Sequence, residues 1–264
     1  MSPKKPMKHA GPKQMVAQLA QQLGYEIVPA WRMRGLSCAR HLSALFEQYR
    51  IDAVIDVGAN TGHYHNFLRS EVGFDGPVLS YEPQPACFQQ LSEKLGSDSA
   101  WQIRNLALGA EPGELAFNVM TDSQFSSFLP PNHEIVGDFG GMNCVKEIIN
   151  VPVVRLDDEF ASAAAPRGFS GRLHLKLDTQ GFDLTVLRGA THTLARVATL
   201  QTELSIKPAY QGMPSYRQMI DELEIMGFEL SSIFPISHDS DTMLIEADGV
   251  FVNRRVLLAR NENE

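Results

Sequence analysis

The chain has 264 residues, 44% of them apolar, which is enough for one large domain or for a domain with an appendage. The three cysteines, Cys38, Cys87 and Cys144, lie tens of residues apart, which excludes a C-x-x-C metal or redox pair and a secreted disulfide framework. No apolar run reaches the roughly 18 residues of a membrane helix, and the basic start lacks the apolar stretch of a signal peptide. We therefore predict a cytoplasmic protein without membrane insertion.

The net charge of −8 is unevenly distributed along the chain. Residues 1–50, here called the leader, contain eight Lys and Arg against Glu26 and Glu47, so the leader carries +6 and the remainder carries −14. An acidic body repels nucleic acid, and we predict no nucleic-acid partner. We interpret the basic leader as a solvated tail, with contact to phosphates or to an acidic partner as the alternative.

The leader is predicted to form a tail and a helical cap in front of the main domain, residues 51–264. Its apolar residues recur twice at helical spacing. These residues are Met15, Val16, Leu19 and Leu23 in the first predicted helix and Leu36, Leu42, Leu45 and Phe46 in the second. Exposed apolar residues of the leader form a homodimer interface or pack within the chain, and both alternatives stay open.

From Asp52 onward, short apolar runs alternate with helical patterns, beginning with a βαβα unit whose strands are Ala53–Val57 and 78–82. Further strands are predicted at 101–107, 115–119, 151–154, 173–178, 198–206, 228–233 and 250–253. Helices are predicted near 184–194 and 215–226, the second with the capping-box spacing of Ser215 and Gln218. This alternation predicts an α/β fold with a doubly wound, mostly parallel sheet, which binds ligands outside the carboxyl ends of its strands.

The stretch 121–150 interrupts this alternation. It contains two adjacent prolines, three glycines and scattered phenylalanines, with no sustained period. A connection this long inside a compact domain is typical of a lid or a substrate loop.

The strongest local signal is the glycine-containing turn after the first strand. Gly58 and Gly62 allow the backbone to turn sharply and to approach a ligand closely. Glu82 ends the next strand, where an acidic side chain accepts hydrogen bonds from both hydroxyls of a ribose. A dinucleotide site expects G-x-G-x-x-G, but Asn60 occupies the second glycine position, which favours S-adenosylmethionine (SAM) over NAD.

These residues resemble the FkbM family of SAM-dependent class I methyltransferases over most of residues 51–206. The motifs that carry the resemblance are Ile55-Asp56-Val57-Gly58-Ala59-Asn60-Thr61-Gly62, Tyr81-Glu82-Pro83, Asn105-Leu106-Ala107-Leu108-Gly109, Ser126-Ser127, Arg155-Leu156-Asp157-Asp158, Leu175-Lys176-Leu177-Asp178-Thr179-Gln180-Gly181 and Val186-Leu187-Arg188-Gly189-Ala190. Each motif is weak by itself. The ordered set is a strong signal.

The resemblance implies a seven-stranded, Rossmann-like sheet with the leader as an N-terminal helical extension, and SAM as the cofactor. The implied cofactor-binding residues are Asp56, Gly58, Ala59, Asn60, Gly62, Glu82, Pro83, Asn105 and Ala107. The turn 58–62 would surround the methionine part of SAM, Glu82 would hold the ribose, and residues 105–107 would border the adenine. The family also implies O-methylation of a hydroxyl on a small-molecule or saccharide acceptor.

Asp178 and Glu203 are the acidic residues expected near the reacting centre, because both lie near the carboxyl ends of predicted central strands. We predict that one of them, or a loop histidine such as His238, removes the acceptor proton; a structural ion pair is the alternative for Asp178. Lys176 is interpreted as the structural partner of Asp178, Glu203 or another carboxylate, because a buried charge needs a partner. His63 is a further candidate of lower rank, as is His65.

No metal site is predicted, because the chain has no H-x-x-x-H motif, no clustered Cys and His, and no convincing carboxylate set. Asp157 and Asp158 are interpreted as carboxylates in the first turn of a helix. A metal held by Asp178 and Glu203 would rest on fold analogy alone.

Gln180 departs from the K-I-D-x-E-G pattern of the family, because it replaces the glutamate. This departure puts any role of that glutamate in doubt and motivates a second hypothesis, an inactive SAM-binding module that acts through a partner. A third hypothesis, an NAD-dependent oxidoreductase, is disfavoured by Asn60.

Overall fold

In the computed structural model, residues 16, 19–20, 22–25, 27–33, 35–96, 98–137, 139–161, 168–169 and 171–255 are described. The chain divides into two compact units, residues 1–38 and residues 39–264. The proposed domain boundary at residue 50 therefore stays a prediction. Of the first predicted leader helix, Met15 lies outside the described residues, whereas residues 16, 19, 20 and 22 are helical.

The strands are β1 Ala53–Val57, β2 Val78–Tyr81, β3 Trp101–Arg104, β4 Ala107–Leu108, β5 Gly113–Met120, β6 Val145–Val154, β7 Leu173–Leu177, β8 Val197–Ser205, β9 Phe228–His238 and β10 Leu244–Asn253. The helices are α1 Leu36–Tyr49, α2 His63–Phe67, α3 Pro85–Leu95, α4 His133–Val136, α5 Leu156–Ala161, α6 Asp183–Arg188 and α7 Tyr216–Ile225. A π-helical turn, Leu68–Val72, continues α2. Short 3₁₀ turns cover Ala30–Arg32, Ser123–Phe125, Phe139–Gly141 and Thr193–Arg196.

Seven strands form the central sheet in the order β3-β2-β1-β7-β8-β10-β9. β10 is antiparallel to both of its neighbours, and the other pairs are parallel. The predicted α/β class with a doubly wound, mostly parallel seven-stranded sheet is confirmed. The carboxyl ends of β1, β2, β7 and β8 therefore lie along one edge, where such a sheet binds its ligands.

The central strands are buried along their whole length, as expected for a parallel sheet that is covered on both faces. Apolar residues such as Ile55, Leu175 and Leu200 have no exposed surface and belong to the main core. The ionisable residues Asp56 in β1 and His174 and Lys176 in β7 are buried as well. Because buried polar groups are costly without partners, these residues indicate where to search for function.

A second sheet, β4-β6-β5, was only partly predicted. The prediction of one strand over 101–107 was wrong, because the chain leaves the central sheet after Arg104 and pairs β4 with β6. The amide of Asn105 donates to the backbone oxygens of Glu82 and Pro83 at this point, which turns the chain away from β2. β6 begins at Val145, so the irregular part of the stretch 121–150 ends at Cys144.

Two helix predictions had different outcomes. The capping box of Ser215 and Gln218 is confirmed at the start of α7. The predicted helix over 184–194 ends at Arg188, and a 3₁₀ turn follows it. The carboxylate of Asp157, in the first turn of α5 as predicted, accepts backbone hydrogen bonds from His192 and Thr193 before that turn. Within the described residues, no helix has the length and apolar character needed to cross a bilayer.

Gly189, directly after α6, gives a direct test of the packing of this helix end against the residue after β4, because a Cβ there would overlap the carbonyl oxygen of Gly109. We expect Gly189→Ala to lower the free energy of unfolding by roughly 1–3 kcal/mol, the usual cost of overpacking. The matched control is Gly113→Ala, since no atom lies within 4 Å of a Cβ at that site. Urea unfolding measures both variants. Equal stabilities would contradict the close approach of the two glycines.

Candidate active site

The turn between β1 and α2 is held from both sides. The amides of Gly58 and Ala59 donate to the carbonyl oxygen of Tyr81, at 3.0 and 3.1 Å, and the amide of Asp178 donates to the carbonyl oxygen of Val57 at 3.0 Å. The turn therefore lies between the carboxyl ends of β2 and β7.

Three residues of this turn have left-handed backbone conformations: Gly58 with φ 83°, Asn60 with φ 47° and Gly62 with φ 86°. A Cβ at Gly58 would overlap the carbonyl oxygen of Asp178. A Cβ at Gly62 would lie 3.0 Å from the Trp101 ring. Both glycines are therefore required by the packing of the chain itself, in addition to any ligand.

Glu82 lies at the end of β2 and is oriented by two backbone amides. Its Oε2 accepts from the amide of Asn60 at 2.7 Å, and its Oε1 accepts from the amide of Gln84 at 2.8 Å. Burial raises the pKa of the Glu82 carboxyl to about 7, although these two hydrogen bonds favour its charged form. Each oxygen retains a lone pair, so the carboxylate can still accept hydrogen bonds from a diol.

The other residues predicted to line the cofactor differ in their surroundings. Ala59 is buried in the turn, and Pro83 is partly exposed next to Glu82. The Asn105 amide shapes the Glu82–Pro83 backbone, at 2.9 and 3.1 Å from the two carbonyl oxygens. Ala107 belongs to the core of the second sheet, beside Val153. Contact of Asn105 or Ala107 with an adenine stays a prediction.

Asp56 is completely buried near the end of β1. Its Oδ2 accepts from the Ser80 hydroxyl at 3.1 Å, and Ser80 in turn accepts from the Trp101 indole at 3.0 Å. Its Oδ1 has no hydrogen bond and lies 3.5 Å from the Lys176 ammonium. Burial raises the pKa of Asp56, and Lys176 opposes this shift.

Lys176 is shared between two carboxylates, since its ammonium also lies 3.1 Å from Oδ2 of Asp178. The predicted pairing with Asp178 is confirmed. Burial disfavours the charge on Lys176, but Asp178 and Asp56 outweigh burial, and the pKa of Lys176 is raised. The ammonium also lies 5.1 Å from the centre of the Tyr64 ring, a cation–π contact.

Next to Lys176, a network of hydrogen bonds joins Tyr64 to buried residues of β7 and β8. The Tyr64 hydroxyl donates to the Gln201 amide oxygen at 2.9 Å and lies 2.9 Å from Nε2 of His174. The other ring nitrogen of His174 lies 2.8 Å from the Thr199 hydroxyl. Burial, with Lys176 nearby, lowers the pKa of His174 to about 3, so the imidazole is neutral.

Gln180 connects the two predicted catalytic carboxylates. Its amide nitrogen lies 2.9 Å from Oδ1 of Asp178 and 3.3 Å from Oε2 of Glu203. Its amide oxygen accepts from the Tyr210 hydroxyl at 2.8 Å. The structure therefore brings Asp178 and Glu203 together, as expected, through Gln180, whose contacts with them were not predicted.

The pKa of the Glu203 carboxyl is raised well above its ordinary value, first by burial and then by surrounding carboxylates. These carboxylates are Glu246, Asp178, Asp183 and Asp248. Asp183 has partners of its own, because it accepts from the Thr179 amide at 2.9 Å and from the Thr202 hydroxyl at 2.9 Å.

Within the described ranges, no group of three or more His, Cys, Asp or Glu is arranged to hold a metal.

The histidines singled out from the sequence lie apart from this cluster. His238 is the exposed last residue of β9, and β10 separates β9 from β8, the strand of Glu203. His63 is the exposed first residue of α2. His65 is buried, lies 2.9 Å from an Asp98 oxygen and stacks on Trp101, which indicates a structural role.

The start of the stretch 121–150 packs against both halves of the site. The Ser123 hydroxyl lies 3.0 Å from the Asn60 amide nitrogen, and the Ser127 hydroxyl donates to the carbonyl oxygen of Gln180 at 2.8 Å. The Tyr210 hydroxyl, which has one proton to donate, lies 2.8 Å from the carbonyl oxygen of Phe125 as well as 2.8 Å from the amide oxygen of Gln180. These contacts join the glycine-containing turn to Gln180 and Tyr210. The role of the stretch 121–150 as a lid stays a prediction.

The family model described as the methyltransferase FkbM domain matches residues 56–230. This range includes the glycine-containing turn and the later site residues Asp178, Gln180, Glu203 and Tyr210. The chain belongs to the FkbM methyltransferase family. It is therefore a SAM-dependent methyltransferase by family, which decides against the NAD-dependent oxidoreductase.

Solved structures are similar in fold at low sequence identity. A methyltransferase FkbM from Methylobacillus flagellatus KT is 13% identical, with a TM-score of 0.45, over 92% of this chain and 71% of that chain. A putative O-methyltransferase from Klebsiella pneumoniae is 12% identical, with a TM-score of 0.46, over 94% and 92%. Aeropyrum pernix fibrillarin, with natively bound SAM, is 13% identical, with a TM-score of 0.44, over 82% and 74%. A search of the curated proteins finds no match.

The described residues fit SAM on two observations. Oδ1 of Asp56, which accepts no hydrogen bond and has only the shared Lys176 ammonium at 3.5 Å, suits an amino group, directly or through water, and the Glu82 carboxylate suits a ribose diol. Asp56 precedes the last residue of β1, and Glu82 follows the last residue of β2, the neighbouring strand.

The affinity for S-adenosylhomocysteine (SAH) is expected to depend on pH through Glu82. Hydrogen bonds from a ribose favour the ionised carboxylate, whose pKa is about 7 without ligand. SAH should therefore bind roughly tenfold more weakly at pH 6 than at pH 8. Titration calorimetry measures this change.

Glu82→Gln should bind SAH more weakly at pH 8 and lose this pH dependence. The matched control is Glu114→Gln, at an exposed position of β5, which should behave as the wild type. An affinity of the wild-type protein that stays constant from pH 6 to pH 8 would contradict the role of Glu82.

Proposed function

We propose that this protein is an O-methyltransferase that methylates a hydroxyl group of a sugar or natural-product acceptor. The observation that carries the proposal is Asp178, whose side chain is 41% exposed beside the glycine-containing turn. Its carboxylate is held by Lys176 on one oxygen and by Gln180 on the other. A carboxylate fixed at the cofactor turn is suited to receive a proton from a hydroxyl.

The sulfonium of bound SAM supplies a methyl group that is already a good electrophile. The residues of the chain then have to align the acceptor and remove its proton. Alignment provides most of the acceleration, and a positioned base adds a typical factor of about 10² to 10⁴. Asp178 accepts the hydroxyl proton, and Lys176, whose ammonium lies 3.1 Å from Oδ2 of Asp178, holds the carboxylate in place beforehand.

Glu203 is the second candidate base and His238 the third. Because burial and neighbouring carboxylates raise the pKa of Glu203, this side chain favours its protonated form and orients the acceptor more readily than it removes a proton. His238 lies at an exposed strand end and needs a movement of the chain or a large acceptor to take part.

The acceptor is proposed to be a small molecule or a saccharide. The negative charge of residues 51–264 supports the exclusion of nucleic acid, which would be recognised by a basic surface. A cytoplasmic location and a homodimer also belong to this proposal, and both rest on the sequence alone.

A second candidate function is a SAM-binding module without turnover. The specific observation in its favour is Gln180, which replaces an acidic residue of the family pattern and lies against both Asp178 and Glu203. This candidate predicts SAH binding without formation of SAH from SAM in the presence of any acceptor.

Turnover distinguishes the two candidates. SAM is incubated with a panel of hydroxylated sugars and natural products, and SAH formation is measured. We expect Asp178→Asn to lower kcat by about 10²- to 10⁴-fold, because the base is lost, while SAH affinity is retained. Glu203→Gln should have a smaller effect on kcat.

The matched control for this experiment is Asp221→Asn, at an exposed position of α7, which should keep wild-type kcat. Wild-type turnover in Asp178→Asn would exclude Asp178 as the base. Binding of SAH without turnover on any acceptor would favour the binding module.

A further inference from the structure

Gln180 has an unusual backbone conformation that the surrounding chain enforces. Its φ is 53°, in the left-handed region that non-glycine residues seldom adopt. The Ser127 hydroxyl donates to its carbonyl oxygen at 2.8 Å, and Gly181, the next residue, has φ 93°. Residues in such conformations persist when the structure around them determines their position, and they cluster at functional sites.

The two ends of the Gln180 side chain have different partners, and these partners determine the orientation of the amide. The nitrogen faces oxygens of Asp178 and Glu203, which accept hydrogen bonds. The oxygen faces the Tyr210 hydroxyl, which donates. A flipped amide would turn its oxygen toward Oδ1 of Asp178, 2.9 Å away, where two acceptors would face each other, so the observed orientation is the satisfied one.

On the side of Glu203, all the ionisable groups around the Gln180 amide are acidic. Lys176 is the cation next to Asp178, whereas the groups that face Glu203 are acidic or phenolic. These groups are Asp178, Asp183, Glu246, Asp248 and Tyr210. A neutral donor between Asp178 and Glu203 holds the two groups together, whereas a third carboxylate there would repel both.

We propose that Gln180 is a positioning residue, whose neutral amide fixes the carboxyl groups of Asp178 and Glu203 side by side. The proposal rests on the proposed methyl transfer for its chemical purpose, since Asp178 is then free to accept the acceptor proton. It treats Gln180 as part of an active arrangement and not as a sign of lost chemistry.

The test is an exchange of the amide and the carboxyl between two positions. Gln180→Glu removes the donor and adds a third carboxyl, and Gln180→Glu/Glu203→Gln restores one amide between two carboxyls. Gln180→Met removes the amide without adding charge and is the matched control. All are compared with the wild-type chain by urea unfolding at pH 5.5 and pH 8.0.

In Gln180→Glu, the unfolding constant relative to wild type is expected to be roughly tenfold larger at pH 8.0 than at pH 5.5, because the added group ionises among carboxylates. Gln180→Met should change this constant by a similar factor at both pH values. The double variant should return the pH dependence to that of the wild type. A pH dependence of Gln180→Glu equal to the wild type, or no recovery in the double variant, would overturn the proposal.

A second measurement does not require any variant of Gln180 to fold. Carboxyl carbon resonances of the wild-type protein are recorded against pH, with the Glu203 signal identified by its absence in Glu203→Gln. The Glu203 signal should titrate at a higher pH in the folded protein than in the urea-unfolded chain, because its carboxyl is buried among other carboxylates. A titration of Glu203 at the same pH in both states would overturn the proposal.

Neither measurement involves SAM or an acceptor, so failure of the proposed methyl transfer and failure of the positioning role are distinguishable. When an acceptor is known, Gln180→Glu should lower kcat at least tenfold at pH 8.0 while SAH affinity stays at the wild-type value. A loss of SAH affinity together with kcat would indicate a structural role and would contradict the proposal.

Discussion

The backbone crossing of Gly58 and Asp178 is the constraint on which the rest of the site depends. The turn after β1 and the turn after β7 approach so closely that no Cβ fits at Gly58. This crossing puts the turn of the cofactor site directly beside the carboxylate that we propose as the base. Alignment of two reactants requires such proximity, and here backbone packing provides it without depending on flexible side chains.

The second constraint is the buried charge of Lys176 and Asp56. This charge connects β1 to the turn after β7. Lys176 lies between Asp56 and Asp178, and removal of Lys176 would leave the buried carboxylate of Asp56 without its cation, which is strongly destabilising. On the far side of Asp178, the chain uses the neutral amide of Gln180 instead of a second cation. The site therefore combines one ion pair that holds Asp178 with one amide that adds no charge beside Glu203.

The parts that could be predicted from the sequence are those that depend on neighbouring residues. The strand β1, its glycine-containing turn and Glu82 follow from local periodicity and short motifs, and so does the capping box of α7. The second sheet was predicted only in part, at 115–119 and 151–154, because the first half of β6 carries exposed polar and apolar residues without strict alternation. The role of Gln180 was also missed, because its partner Tyr210 is 30 residues away in a loop, and only folding brings them together.

The structure of the protein with bound SAH tests the central claim most directly. The account predicts ribose hydroxyls on the Glu82 carboxylate, the amino group near Asp56, and the sulfur directed toward the edge that carries Asp178 and Glu203. A ligand bound away from Glu82, or a sulfur directed away from Asp178, would contradict it.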